Sequence, residues 1–187
     1  MIHSLPFHNF IIFLRRIRFF LYLRYRIGGI GERAFINSPF RLDVHKNLEI
    51  GKYTFIQSGL WIYCEANADN SARIRIGSRC VLGYRNHITA VGCVSIGDDV
   101  LTANNVFISD NDHSYSDLNT PIIQQPIKYK KNVSIGSGSW IGENVCIIGA
   151  SIGRNCVIGA NSVVTRDVPD FSVVAGNPAK VIKTIEQ

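Results

Sequence analysis

One stretch of this chain reads as chemistry before it reads as structure. In SDNDHSYSD, residues 109–117, His113 stands among carboxylates and hydroxyls with no aliphatic neighbour. An imidazole changes charge near neutral pH. At an accessible position it can therefore act as a general base and take the proton of an attacking nucleophile. Asp110 or Asp112 could accept from the other ring nitrogen and hold the tautomer, or could cap the backbone of their own loop.

Other chemistries fit the same residues poorly. A calcium loop needs glycine at its sixth position and glutamate at its twelfth, and the stretch supplies neither. His113 has no histidine close to it in sequence, and His3, His8, His45 and His87 are scattered, so no metal is expected. Neither a phosphate-binding glycine loop nor a GxSxG elbow occurs. Cys64, Cys80, Cys93, Cys146 and Cys156 form an odd set without a CxxC pair, and no export signal precedes them, which predicts a reducing, cytoplasmic setting.

The elements that must position His113 are written as a repeat. Aliphatic residues recur at steps of six: Ile30, Ile36, Leu42, Leu48; Ile50, Ile56, Ile62; Ile76, Leu82, Ile88, Val94. The series continues through Ile96, Thr102 and Ile108, then Ile135, Ile141, Ile147, and Ile152, Ile158, Val164. Neither helical nor simple strand periodicity produces that spacing. Four residues after an anchor stand compact residues such as Thr54, Cys80, Val100, Ser139 and Cys156, so two positions in six are expected to point inward. Glycine often follows the anchor, as at Gly51, Gly77 and Gly153, where the sequence suggests a corner that needs backbone freedom. A six-residue rung is one short strand and one corner, and three rungs close a coil whose strands pair with the next. The expected fold is all-β, a parallel β-solenoid. The step from Ile147 to Ile152 is only five, so one corner must be tighter. Two excursions leave the repeat, around 63–73 and over 109–132, and His113 lies in the second.

The net charge of +6 is concentrated at the start of the chain. Arg15, Arg16, Arg18, Arg24 and Arg26 precede the first acid, so the remainder is nearly neutral and no nucleic-acid partner is expected. Residues 1–29 form a basic, aromatic segment, expected to be helical, in which FIIFL meets Arg15 too soon to span a bilayer. Two readings stand: packing on the domain or a sister subunit with the arginines snorkelling outward, or peripheral contact with an anionic membrane face.

Residues 30–187 form the second expected unit, a repeat domain with its insertion at 109–132. Its rungs, with NVSIGSGSWIGENVCIIGASIGRNCVIGANSVVTRDVPDFSVVAGNPAKVIK at 132–183, resemble the hexapeptide-repeat acyltransferases, in particular the maltose and galactoside O-acetyltransferase branch and its polysaccharide-modifying relatives. The resemblance implies a left-handed parallel β-helix with a C-terminal tail. It also implies a homotrimer with active sites between subunits, acetyl-CoA as acyl donor and a histidine base. IGDDVLTANNVFISDNDH places His113 at the position of that base. The same resemblance carries Trp140, Ala160, Thr165, Arg166, Lys180 and Lys183 over to the surroundings of CoA. The three cations would meet its phosphates; a solvated tail explains the lysines equally, and Trp140 suits subunit packing. Glu143 departs from the small polar residue of the galactoside enzymes, and Asn86 aligns near the acyl end only across a coil of different length.

The function expected from these features is acetyl transfer to a sugar hydroxyl in surface polysaccharide or lipopolysaccharide synthesis, in the cytoplasm or at the inner membrane face. N-acetylation of an amino sugar or of a small antibiotic-like acceptor is the alternative enzyme. A non-catalytic scaffold and a zinc lyase on the same fold are the alternatives of other classes.

Overall fold

In a computed structural model of the chain, residues 27–44, 46–65 and 72–186 are described, together with Leu21 and Tyr25. Most of the basic aromatic segment expected over 1–29, and most of the excursion at 63–73, lie outside the described residues. Among the described residues, no helix is long and apolar enough to cross a membrane.

The six-residue period becomes a stack of three-sided coils. The first coil runs through strands Gly29–Ile30, Phe35–Ile36 and Arg41–Asp43, and the second through Leu48–Ile50, Phe55–Ile56 and Trp61–Cys64. The third comprises Arg73–Ile76, Val81–Leu82 and His87–Ala90; the fourth, Cys93–Ile96, Leu101–Thr102 and Phe107–Ser109. After the insertion come Val133–Ile135, Trp140–Ile141 and Cys146–Ile148, then shorter rungs that end in Ser172–Gly176. Corresponding strands of successive coils pair in parallel and make three flat faces. The residues after 176 do not trail away as a tail, because Ala179–Thr184 folds back antiparallel on Ser172–Gly176 and closes the second face.

Each face buries a ladder of anchors, and the first buries a second one, Leu48, Ile74, Val94 and Val133. Ile30, Ile50, Ile76, Ile96 and Ile135 stand in register on the first face, and Ile36, Ile56, Leu82, Thr102, Ile141 and Ile158 on the second. Leu42, Ile62, Ile88, Ile108, Ile147 and Val164 line the third. Nearly all are fully buried, and each such side chain contributes about 1.5–3 kcal/mol by leaving water. Thr102, the one polar anchor, has its hydroxyl accept from the Asn86 side-chain amide and the Gly83 amide.

The compact residues four places after the anchors are buried as expected, Cys80 and Cys156 among them. Both thiols donate to carbonyls of the next coil, Gly97 and Pro169, each at 3.0 Å. Burial pushes both thiols up, and pushes Cys64 to about 11. Since the thiolate is the nucleophile, iodoacetamide applied to the native protein at pH 8 should leave Cys64, Cys80 and Cys156 unmodified, as peptide mass mapping would show. Rapid alkylation of any of the three without unfolding would contradict this packing.

The glycines serve a different purpose from the one expected. Gly51 and Gly77 do not adopt positive φ; a Cβ on either would fall on the backbone of the next coil, at Gly77 and Gly97 respectively. They permit close approach between coils. Positive φ falls two residues later, at Arg33 (53°), Tyr53 (59°), Arg79 (57°) and Asp99 (58°). Left-handed backbone costs an L-residue about 1–2 kcal/mol. An axial hydrogen bond offsets it: the amides of Tyr53, Arg79 and Asp99 donate to the carbonyls of Glu32, Lys52 and Ser78 on the preceding coil. The shortened step after Ile147 is made at Gly149, with φ of 58°.

Candidate active site

The insertion leaves the third face after Ser109. It is an antiparallel hairpin of Asn111–His113 and Ile127–Tyr129, with His113 opposite Ile127 and Asp112 opposite Lys128. Its stem is tied down at two points. The Ser109 hydroxyl donates to the Asn111 carbonyl at 2.7 Å, and the Lys130 amide donates to the Asp110 carbonyl at 2.9 Å. Beyond the hairpin the loop is held by its own side chains. The Asp117 carboxylate accepts from the Asn119 amide and the Thr120 hydroxyl, which lower its pKa, and Gln125 donates to the carbonyls of Asp117 and Thr120.

The two acids beside His113 do not hold its ring. Asp110 is fully buried; one carboxylate oxygen accepts from the Val91 amide (3.0 Å) and the Asn111 side chain (2.8 Å), the other from the Gly92 amide (2.8 Å). Asp112 accepts from the backbone amide of His113 at 2.9 Å and lies 3.7 Å from the Lys130 ammonium. Of the two roles open to these acids, capping and pinning the loop is the one the geometry displays. The His113 side chain is left exposed at the mouth of a cleft.

That cleft, of about 470 Å³, lies between the hairpin and the outer surface of the third face. Trp61, His87 and Phe107 occupy the same outward position on successive coils and form its aromatic floor. The Trp61 and His87 rings stack at 4.0 Å and 6° between planes, and Phe107 follows at 5.0 Å. Burial pushes the His87 imidazole below its ordinary value, so the neutral form is favoured. The far end is polar: Arg41 pairs with Asp43, and the Tyr63 hydroxyl donates to Glu65, which raises the phenol to about 12. In sequence His113 has no nearby histidine; the fold puts His87 in its cleft. Among the described residues, no three His, Cys, Asp or Glu side chains come together as a metal-binding group.

The residues assigned to CoA lie elsewhere on the prism. Trp140 projects from the second face between Leu101 and Val157, half exposed. Ala160 is at the corner after that face, Thr165 and Arg166 follow the third, and Lys180 and Lys183 are on the returning strand. None lines the His113 cleft of this single chain. Arg166, Lys180 and Lys183 are exposed and enter no ion pair among the described residues. Glu143 accepts from the Asn104 amide and the Asn105 side chain, so its carboxylate is spent on a corner. Asn86 is buried, its amide donating to Thr102 and its oxygen accepting from the Val106 amide, and it does not reach the cleft.

Among the described residues, the protein is a parallel β-helix of six-residue rungs from which a loop presents a histidine over an outer face. The family description "hexapeptide repeat of succinyl-transferase" matches residues 73–110 and 132–166. The probable acetyltransferase Rv3034c of Mycobacterium tuberculosis is 34% identical over 173 residues, covering 89% of this chain and 56% of that protein. The galactoside O-acetyltransferase of Escherichia coli is 31% identical over 79% of this chain and 71% of its own. A hexapeptide-repeat acetyltransferase of Vibrio cholerae, solved with acetyl coenzyme A, superposes with a TM-score of 0.61 and 26% identity over 92% of this chain and 79% of that one. The chain belongs to the hexapeptide-repeat acyltransferases, and its fold is their left-handed parallel β-helix. It spans little more than half the length of the Mycobacterium relative.

Proposed function

We propose that the protein transfers an acetyl group from acetyl-CoA to a sugar hydroxyl, with His113 as general base. The observation that carries this reading is His113 itself, exposed on a pinned hairpin at the mouth of a cleft lined by aromatic and polar side chains. The family membership and the likeness to a galactoside O-acetyltransferase support the chemistry. His113 takes the hydroxyl proton as the oxygen attacks the thioester carbonyl; the new C–O bond forms, the C–S bond breaks, and the proton passes from His113 to the departing thiolate. Bound acetyl-CoA supplies the activated acyl group. Trp140, Ala160 and Thr165 would lie along it, and Arg166, Lys180 and Lys183, free of ion pairs among the described residues, would meet its phosphates.

Because Trp140, Lys180 and Lys183 stand on a different face from His113 and none of the six residues lines its cleft, the donor and the base would be brought together between subunits, which the proposed homotrimer provides. The basic aromatic segment over 1–29 favours an acceptor at the inner membrane face, such as a glycan intermediate of surface polysaccharide synthesis. The test is a screen of sugar nucleotides, oligosaccharides and amino sugars with acetyl-CoA, following thiol release and locating the acetyl group by mass spectrometry. An O-acetylated sugar is expected. An amide product would shift the reading to N-acetylation, and no thiol release with any acceptor would remove it.

A further inference from the structure

The sugar-hydroxyl reading needs only one ring beside His113, yet the cleft continues well past it. It runs over the third face from Ile148 on the fifth coil to Arg41 on the first, roughly 19 Å at the spacing of paired strands. That is longer than a single pyranose ring. Its far end also holds an unusual pair of atoms. Among the described residues, the buried side-chain polar atoms without a hydrogen-bond partner are Trp61 Nε1 and Asp43 Oδ2, and both residues line this cleft. Asp43 Oδ2 is compensated in charge by Arg41 Nε at 2.5 Å without a well-directed hydrogen bond, so its acceptor capacity is only partly used, whereas Trp61 Nε1 has no partner at all.

A buried polar group left unpaired costs about 1–3 kcal/mol, so natural proteins retain few, and those they retain call for an explanation. Here one atom is a donor and the other an acceptor, and they stand on neighbouring coils, since Arg41 pairs with Trp61 and Asp43 with Tyr63 in register. A hydroxyl both accepts and donates, and a polyol presents several at close spacing. Aromatic side chains beside them give the cleft an apolar wall against which the C–H groups of a sugar can pack. Arg41, with a side chain 59% exposed, is the cover that can swing aside.

We infer that this end of the cleft is a second saccharide subsite, in which hydroxyls of a non-acetylated sugar accept from Trp61 Nε1 and donate to Asp43 Oδ2. The acceptor is then a glycan of at least two units, held here while the neighbouring ring meets His113. This rests on the sugar-acceptor reading above, and Trp61 and Asp43 are specificity-determining residues that touch the acceptor away from the reacting atoms.

The test uses the full chain on an immobilised array of mono- to hexasaccharides, followed by kinetics with the oligosaccharide retained best. Wild type should retain at least one oligosaccharide and bind its component monosaccharides about tenfold or more weakly. Trp61→Phe, which keeps a ring but removes the N–H, and Asp43→Asn should each weaken oligosaccharide binding about tenfold and raise KM at unchanged kcat, because an interaction shared by ground and transition states is lost. His113→Ala should keep the binding. If His113→Ala also keeps kcat, the base assignment fails and the subsite stands. The subsite is overturned if no saccharide is retained, if monosaccharides bind as tightly as longer chains, or if both subsite variants bind like wild type. It is equally overturned if those variants change the oligomer mass in light scattering, which would make this face a subunit contact. Melting temperatures close to wild type establish that the variants are folded.

Discussion

Replacement of His113 by alanine is expected to lower kcat by about 10²–10⁴-fold, the range for removal of a positioned general base, equivalent to about 3–5 kcal/mol of barrier. An alcohol is a poor nucleophile until its proton is being removed, and among the side chains that line the cleft His113 is the exposed imidazole on the hairpin. His87 faces the same cleft, but its ring is half-buried, stacked against Trp61 and flanked by Phe107. The structural cost of the change should be small. His113 makes its backbone hydrogen bond through its amide, which alanine keeps, and its ring is not packed into the core. Steady-state release of CoA thiol, with calorimetric titration of acetyl-CoA, separates the outcomes. Unaltered donor affinity with collapsed turnover is the expected pair, and an unchanged kcat in a folded variant would sink the assignment.

Asp110→Ala is expected to be the other severe change, for a different reason. The Asp110 carboxylate has no solvent exposure and gathers the Val91 amide, the Gly92 amide and the Asn111 side chain, so it fastens the hairpin stem to the corner between the third and fourth coils. Hydrogen bonds to a charged group are each worth about 1.5–3 kcal/mol, and alanine offers none of them. A loss of about 4 kcal/mol or more in unfolding free energy follows, measurable by urea denaturation. Displacement of the hairpin by even an ångström should lower kcat about 10–100-fold with little change in donor affinity. Hydrogen exchange at residues 109–113 and 127–131 would rise if the stem is released. Asp110→Asn, which keeps the shape and one accepting oxygen, should fall between. Native exchange rates together with full turnover in Asp110→Ala would show that the stem does not depend on this carboxylate.

The aromatic floor of the cleft was open to a closer reading of the repeat. Trp61, His87 and Phe107 each immediately precede an anchor, Ile62, Ile88 and Ile108, and those three anchors belong to one face. Sorting the rungs into three faces puts the three residues side by side, next to the rung from which the insertion departs. Treated as a plain six-residue period, the repeat separates inside from outside but does not say which outward residues are neighbours. His87 therefore looked like one more scattered histidine. The glycines differ from the sequence expectation for a related reason. Their role is contact between coils, which depends on how closely one corner sits on the next, whereas the positive φ that a corner needs is carried by Arg33, Tyr53, Arg79 and Asp99.

Sequence alone determined the inside of this protein. An aliphatic residue at every sixth position, with a compact residue four places on, admits one economical solution, a three-sided coil, because only that geometry brings every anchor into a common interior. It also marked the place where the coil is broken and the histidine that the break exposes. Tertiary structure decided the outside. Which way Asp110 turns, what closes over Trp61 Nε1 and Asp43 Oδ2, and which residues share a cleft with His113 depend on contacts between coils about twenty residues apart and on a hairpin folded back across one face. The interior is dictated by hydrophobic burial, which a local pattern encodes; the site is dictated by directional bonds between distant segments, which no local pattern contains.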